Sequence, residues 1–281
     1  MIELGANSYG KQAIRLVKVV PEPGGHRVRD LTVDVALEGD FGAAHTAGHS
    51  ALVVATDTMK NTVYALAAEH LTGAVEAFGT TLATHFLAFP QVRRATVGIR
   101  EHRWAPIAAG GGPAADAFRR AGDATRTATV AATREATVVE SGLEDLVVMK
   151  TAKSAFAGFP RDEYTTLRDA HDRIMATKVT ATWRHAGPAV DWDASHEAIS
   201  TTLLEVFAEH ESESVQHSIW VMASAMLERH PEIDEVRMTL PNLHHWPVDL
   251  APLGGTNRGE IFVATTEPHG LIEATVRRSA T

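Results

Sequence analysis

The order in which two hydrophobic periods alternate along the chain constrains its fold more than any other feature. Leu31, Val33, Val35 and Leu37 recur at every second residue, the period of a strand that turns one face to a core. The apolar run from Ile14 to Val20 supplies a partner strand across the turn-forming Pro21-Glu22-Pro23-Gly24-Gly25. The period then lengthens to that of a helix: Val75, Phe78, Leu82, Phe86 and Phe89 share one face, and Pro90 stops the run. Strand alternation resumes at Ala95, Val97 and Ile99, and a further strand is expected within residues 125–139.

The second half repeats this order. Strands at 146–150 and 178–184 precede a helix carrying Ile199, Leu203, Val206 and Phe207, then one carrying Val215, Ile219, Met222 and Met226 that ends before Pro231. Strands at 235–240 and 260–265 close the unit. Two ββααββ units predict an α+β fold with an antiparallel eight-stranded sheet and its helices on one face, the first unit over residues 1–140 and the second over 141–281. Such a sheet leaves two open edges, which proteins cover or pair. Gly110-Gly111-Gly112-Pro113 reads as an exposed hairpin loop.

One stretch carries a chemical signature. Between Leu146 and Arg173, expected to lead from a strand into a helix, the chain sets Phe156, Tyr164, Leu167 and Arg173 at fixed distances. An aromatic face that stacks on a flat ring, with a planar guanidinium that grips two acceptors on its edge, suits a planar anionic heterocycle. Taken by themselves these residues have plainer readings: Phe156 and Phe159 as core aromatics, Arg173 as half of a surface ion pair. Lys11 reads as a solvated lysine beside a strand, and Thr56-Asp57-Thr58 and Gln216 read as helix caps.

The same stretch places Lys150, Thr151, Ser154, Phe156, Phe159, Tyr164, Leu167 and Arg173 in the spacing of a strand followed by Ser-x-Phe-x-x-Phe, Tyr-x-x-Leu and Arg. Tyr9-Gly10-Lys11, Val54-Ala55-Thr56-Asp57 with Lys60-Asn61-Thr62, Ser214-Val215-Gln216 and Leu240-Pro241-Asn242-Leu243-His244 are matching motifs elsewhere, as is Glu267-Pro268-His269-Gly270-Leu271-Ile272. Together they resemble the urate oxidase (uricase) family over most of the chain. Met149 and Ala152 stand where that family has Leu and Thr, both expected on the supporting strand.

The resemblance implies tandem tunnelling-fold (T-fold) units, two subunits closing a barrel and two barrels stacking into a homotetramer. It also implies oxidation of urate by O2 and water to 5-hydroxyisourate and hydrogen peroxide, with neither metal nor organic cofactor. Phe156 would stack on the purine, Arg173 and Gln216 would pinch its polar edge, and Leu167 and Val215 would wall the site. Lys11 and Thr56, helped by His244, would relay protons; Asn242 with Thr56 would hold O2 and later water above the ring. Lys11, Thr56 and Asp57 would come from one subunit and the rest from its neighbour. Two other readings remain open: a T-fold enzyme acting on a purine or pterin by metal-assisted hydrolysis, and a non-catalytic purine-binding oligomer, against which Lys11 and Thr56 argue.

Composition excludes several classes. A formal charge of −9 opposes general affinity for nucleic acid, although Lys11 and Arg173 suffice for a local basic pocket. No run of about 18 apolar residues is present for a membrane span. The chain has no cysteine, hence neither disulfide nor thiol nucleophile. His45 and His49 have i, i+4 spacing without a His-Glu-x-x-His pattern, so no metal is expected. Gly254-Gly255-Thr256-Asn257-Arg258-Gly259 lacks the lysine and hydroxyl of a phosphate loop. The ending Arg277-Arg278-Ser279-Ala280-Thr281 carries no peroxisomal Ser-Lys-Leu, and a cytoplasmic location is expected.

Overall fold

The computed structural model describes residues 2–187 and 191–279; Ala280 and Thr281, the end of the segment read for an address, lie outside it. The chain forms two compact units, one reaching to Gly142 and including Asp191–Asp193, the other taking the remainder from Leu143.

In the first unit, β1 (Tyr9–Glu22) and β2 (Gly25–Gly39) form an antiparallel hairpin, whose turn needs the left-handed backbone of Gly24 at φ 86°. The short α1 (Gly42–Ala47) leads to α2 (Thr56–His70) and α3 (Val75–Leu87), after which β3 (Val92–Glu101) pairs with β2 and β6 (Thr125–Ala132) pairs with β3. The alternating side chains of β2 are buried as their period requires, with Leu31, Val33, Val35 and Leu37 at 0 to 1% exposure. Phe78, Leu82 and Phe86 of α3 complete that core with Val97, Ile99 and Val130. Each such side chain contributes roughly 1.5–3 kcal/mol by leaving water.

The second unit repeats the plan. From β7 (Thr137–Lys150), which brings the chain across from the first unit, follow β8 (Met175–His185), α4 (Trp192–Glu209), α5 (Val215–Arg229) and β9 (Ile233–Pro247). Ile199, Leu203, Ile219, Met222 and Met226 on the helices and Val236, Met238 and Leu240 on β9 are fully buried. The repeat extends to detail. Lys18 on β1 donates to the carbonyls of Ala67, Ala68 and Leu71 at the end of α2, and Lys150 on β7 does the same for Phe207 and Ala208 near the end of α4. Ala13 and Asp145 hold positive φ angles of 56° and 65° at corresponding points of the two strands.

The α+β class and the doubled order agree with the sequence; the strand count does not. Trp104–Ala109 (β4) and Gly112–Arg120 (β5) form a separate two-stranded hairpin around the glycine loop. The segment expected to close the second unit yields only β10 (Phe262–Thr265), which pairs with the last residues of β9, while β11 (Leu271–Arg277) takes the closing place along the body of β9. No helix among the described residues is long and apolar enough to cross a membrane.

Candidate active site

The stretch from Lys150 to Met175 connects β7 to β8, not a strand to a helix. It folds back on itself: Phe156 and Ala170 exchange backbone hydrogen bonds of 2.7 and 2.9 Å, and the Arg173 N–H donates to Ser154 O at 2.8 Å. Tyr-x-x-Leu lies in the exposed bend, with Tyr164 81% exposed. Met149 is on β7, whereas Ala152 lies beyond its end.

This fold-back opens a cavity of about 890 Å³ within the second unit, lined by Phe156, Leu167, Arg173, Val215, Gln216, Asn242 and His244. Phe156 and Phe159 are not core aromatics: both remain partly exposed and stack on each other at 5.0 Å and 12°. The Arg173 guanidinium carbon lies 5.4 Å from the Phe156 ring centre. Arg173 forms no ion pair among the described residues, its Nε is buried without a partner, and burial lowers its pKa. A half-buried guanidinium without a carboxylate is poised for an anion from outside the chain.

Val215 and Gln216 open α5. Ser214 supplies the cap, its hydroxyl accepting from His217 N–H at 3.1 Å, so Gln216 is not used for capping. Asn242 and His244, two apart on β9, both reach the cavity. Trp246, the next residue in that alternation, also lines it and stacks on His244 at 5.2 Å and 24°. The sequence motifs do not include it, although its place two residues beyond His244 in the same strand alternation marks that side of β9. Burial first, then the charges of Arg173 and His269, lower the His244 pKa and favour the neutral ring.

Lys11, Thr56 and Asp57 belong to the first unit. At Gly10 a side chain would collide with the Val35 carbonyl, its Cβ 1.8 Å from the oxygen, so only glycine permits this approach of β1 to β2. A bulge follows between Lys11 and Ile14, stabilised by the Ala13 N–H donating to Asp34 Oδ1 at 2.6 Å. Lys11 is partly buried, not a freely solvated lysine. Thr56 and Asp57 begin α2, whose cap position is Ala55 and has no side-chain cap bond, so neither residue performs the capping role the sequence also allowed. The Asp57 carboxylate accepts from Lys60 at 2.5 Å and Asn61 at 3.0 Å. Lys60, through its hydrogen bond and its charge, holds the carboxyl below its ordinary pKa, and the charge of Lys11 adds to the effect. Tyr9, two residues before Lys11, bonds through its hydroxyl to the backbone of Val54, two residues before Thr56.

The Uricase family profile matches residues 7–131 and 139–273. Uricase from Arthrobacter globiformis is 44% identical over 278 residues, spanning 99% of this chain and 90% of that protein. Uricase from Aspergillus flavus is 35% identical over 297 residues, spanning 100% and 98%. A crystal structure of uricase from Arthrobacter globiformis is similar with a TM-score of 0.94 at 43% identity, covering 100% of this chain and 96% of that one. With both units matched and the same architecture in a solved relative, the chain belongs to the uricase family.

Proposed function

We propose that this protein oxidises urate with O2 and water to 5-hydroxyisourate and hydrogen peroxide at sites shared between protomers of a homotetramer. The observation that carries the binding half of this reading is Arg173: a half-buried guanidinium beside an aromatic ring, with no ion pair of its own among the described residues. Urate is planar, anionic and edged with acceptors. Phe156 stacks on it, Arg173 and Gln216 hold its polar edge, and Leu167 and Val215 wall the pocket.

The chemistry follows from the substrate. Deprotonated urate is electron-rich enough to pass two electrons to O2; the purine gains oxygen from water, and O2 leaves as hydrogen peroxide. The protein's work is to stabilise the purine anion and to move protons. Lys11 and Thr56 form the relay with His244, whose lowered pKa keeps its ring neutral, with one nitrogen unprotonated. Asn242 and Thr56 hold O2 and then water over the ring, since an amide and a hydroxyl each donate and accept. Lys11, Thr56 and Asp57 reach this cavity from a neighbouring protomer, whose approach also covers open sheet edges.

The test is metal-stripped protein with urate in air-saturated buffer, followed by urate absorbance and peroxide. Equimolar loss of urate and appearance of peroxide is expected; intact urate overturns the reading.

A further inference from the structure

The segments that carry Phe156, Arg173 and Gln216 meet at a residue outside the cavity lining. Ser212 is 2% exposed. Its N–H donates to Lys153 O at 3.0 Å and its carbonyl accepts from Ala155 N–H at 2.7 Å, which bridges it to Ser154, two residues before Phe156. Ser154 O in turn accepts from the Arg173 N–H. The Ser212 hydroxyl lies 2.8 Å from Ser218 Oγ, 3.1 Å from the carbonyl of Ser214 and 3.5 Å from Met175 Sδ. Ser214 caps the helix that begins with Val215 and Gln216, and Met175 opens β8 two residues after Arg173.

His210 gives this network a direction. Its Nδ1 is 2.7 Å from the Val206 carbonyl, which only accepts, so Nδ1 carries the proton. In the neutral ring Nε2 then accepts from Ser218 Oγ at 2.8 Å, leaving Ser218 to accept from Ser212. Burial is the main influence favouring the neutral ring.

We infer that Ser212 is a positioning residue for urate: through its bonds to the 153–155 segment and to Ser218 it sets the Phe156 and Arg173 segment against the start of α5, where Gln216 lies. The inference rests on the binding mode proposed above. Ser212 touches no substrate, so its loss should disturb binding more than chemistry.

The test compares Ser212→Ala, Ser218→Ala and the double variant by anaerobic urate titration, aerobic turnover and amide exchange. A misplacement of the grip should raise the urate Kd about tenfold in each single variant, while kcat at saturating urate stays within about twofold. The double variant should be no worse than Ser218→Ala, because the hydroxyl bond that Ser212→Ala removes is already lost with Ser218. Wild-type Kd in folded Ser212→Ala, or additive losses, would overturn the inference, and Ser218→Ala keeps the test available if Ser212→Ala does not fold. If wild-type protein neither binds nor consumes urate, the proposed function fails on its own. Exchange at the Phe156 and Arg173 amides then decides: faster in Ser212→Ala supports the positioning role, unchanged overturns it.

Discussion

Tyr9 and Val54 hold each other by two hydrogen bonds: the phenol oxygen accepts from the Val54 N–H at 2.7 Å and its O–H donates to the Val54 carbonyl at 3.2 Å. The Tyr9 ring also packs edge-on against Phe41 at 4.7 Å. Because Lys11 lies two residues after Tyr9 and Thr56 two residues after Val54, this latch registers the proposed relay partners, although it contains neither of them.

Tyr9→Phe should therefore affect both stability and turnover. The buried Val54 loses partners for its N–H and carbonyl, at a cost of about 1–3 kcal/mol, readable as a lower urea midpoint. With Thr56 less well registered, kcat should fall by about tenfold while urate affinity is nearly kept. Unchanged kcat in a measurably destabilised variant would reduce the latch to a packing feature.

Arg173→Met should separate function from stability. The guanidinium is needed for the purine anion, so urate affinity should fall by about 2–4 kcal/mol. For folding, however, it is a half-buried cation with an unpartnered Nε, and an apolar side chain of similar length should leave the melting temperature unchanged or higher. Loss of stability together with retained affinity would remove Arg173 from the site.

The parts legible in the sequence are those where one local pattern decides the outcome. Leu31 to Leu37 alternate because one face of β2 is buried, and Val75 to Phe86 follow helical spacing because one face of α3 is. The glycine turn at residues 110–113 is legible as a hairpin loop, but the strands it joins, β4 and β5, are not, because they are largely exposed and include Pro106, so no core-facing alternation marks them. β11 carries only one buried residue, Val276, and its pairing with β9 is nonlocal. In the site, the residue types of Phe156, Arg173 and Gln216 could be chosen from motifs, but their shared cavity depends on backbone bonds through Ser154 and Ser212. The bulge beside Lys11 turns on a positive φ at Ala13, a residue type that gives no local warning.

Acid should weaken the fold through three partly buried imidazoles. His102, His210 and His244 all have lowered pKa values, burial being the first cause in each. As pH falls below the ordinary imidazole value of 6.5, the unfolded chain takes protons that the folded chain resists. Their stabilising contribution is thus complete above that pH and is lost as pH falls toward the folded values. His210→Gln removes one such group, so the drop in urea midpoint between about pH 7.5 and 5.5 should be smaller than in the unsubstituted protein. An equal drop would show that His210 does not contribute.

Shared sites make a sharper claim about Lys11. Lys11→Met should lower kcat by about 10²–10⁴ with little change in anaerobic urate binding, because proton transfer is lost while stacking on Phe156 remains. Arg173→Met fails for the opposite reason, lacking the grip but retaining the relay. If a site draws Lys11 from one protomer and Arg173 from its neighbour, unfolding and refolding the two inactive variants together must regenerate intact sites. Random mixing in equal amounts should restore about a quarter of wild-type activity, the chance that one interface combines the unaltered Lys11 with the unaltered Arg173. If both residues instead served one site within a single chain, every site in the mixture would contain a lesion. The mixture would then be no more active than the mean of the two variants measured separately, and the shared-site proposal would fail.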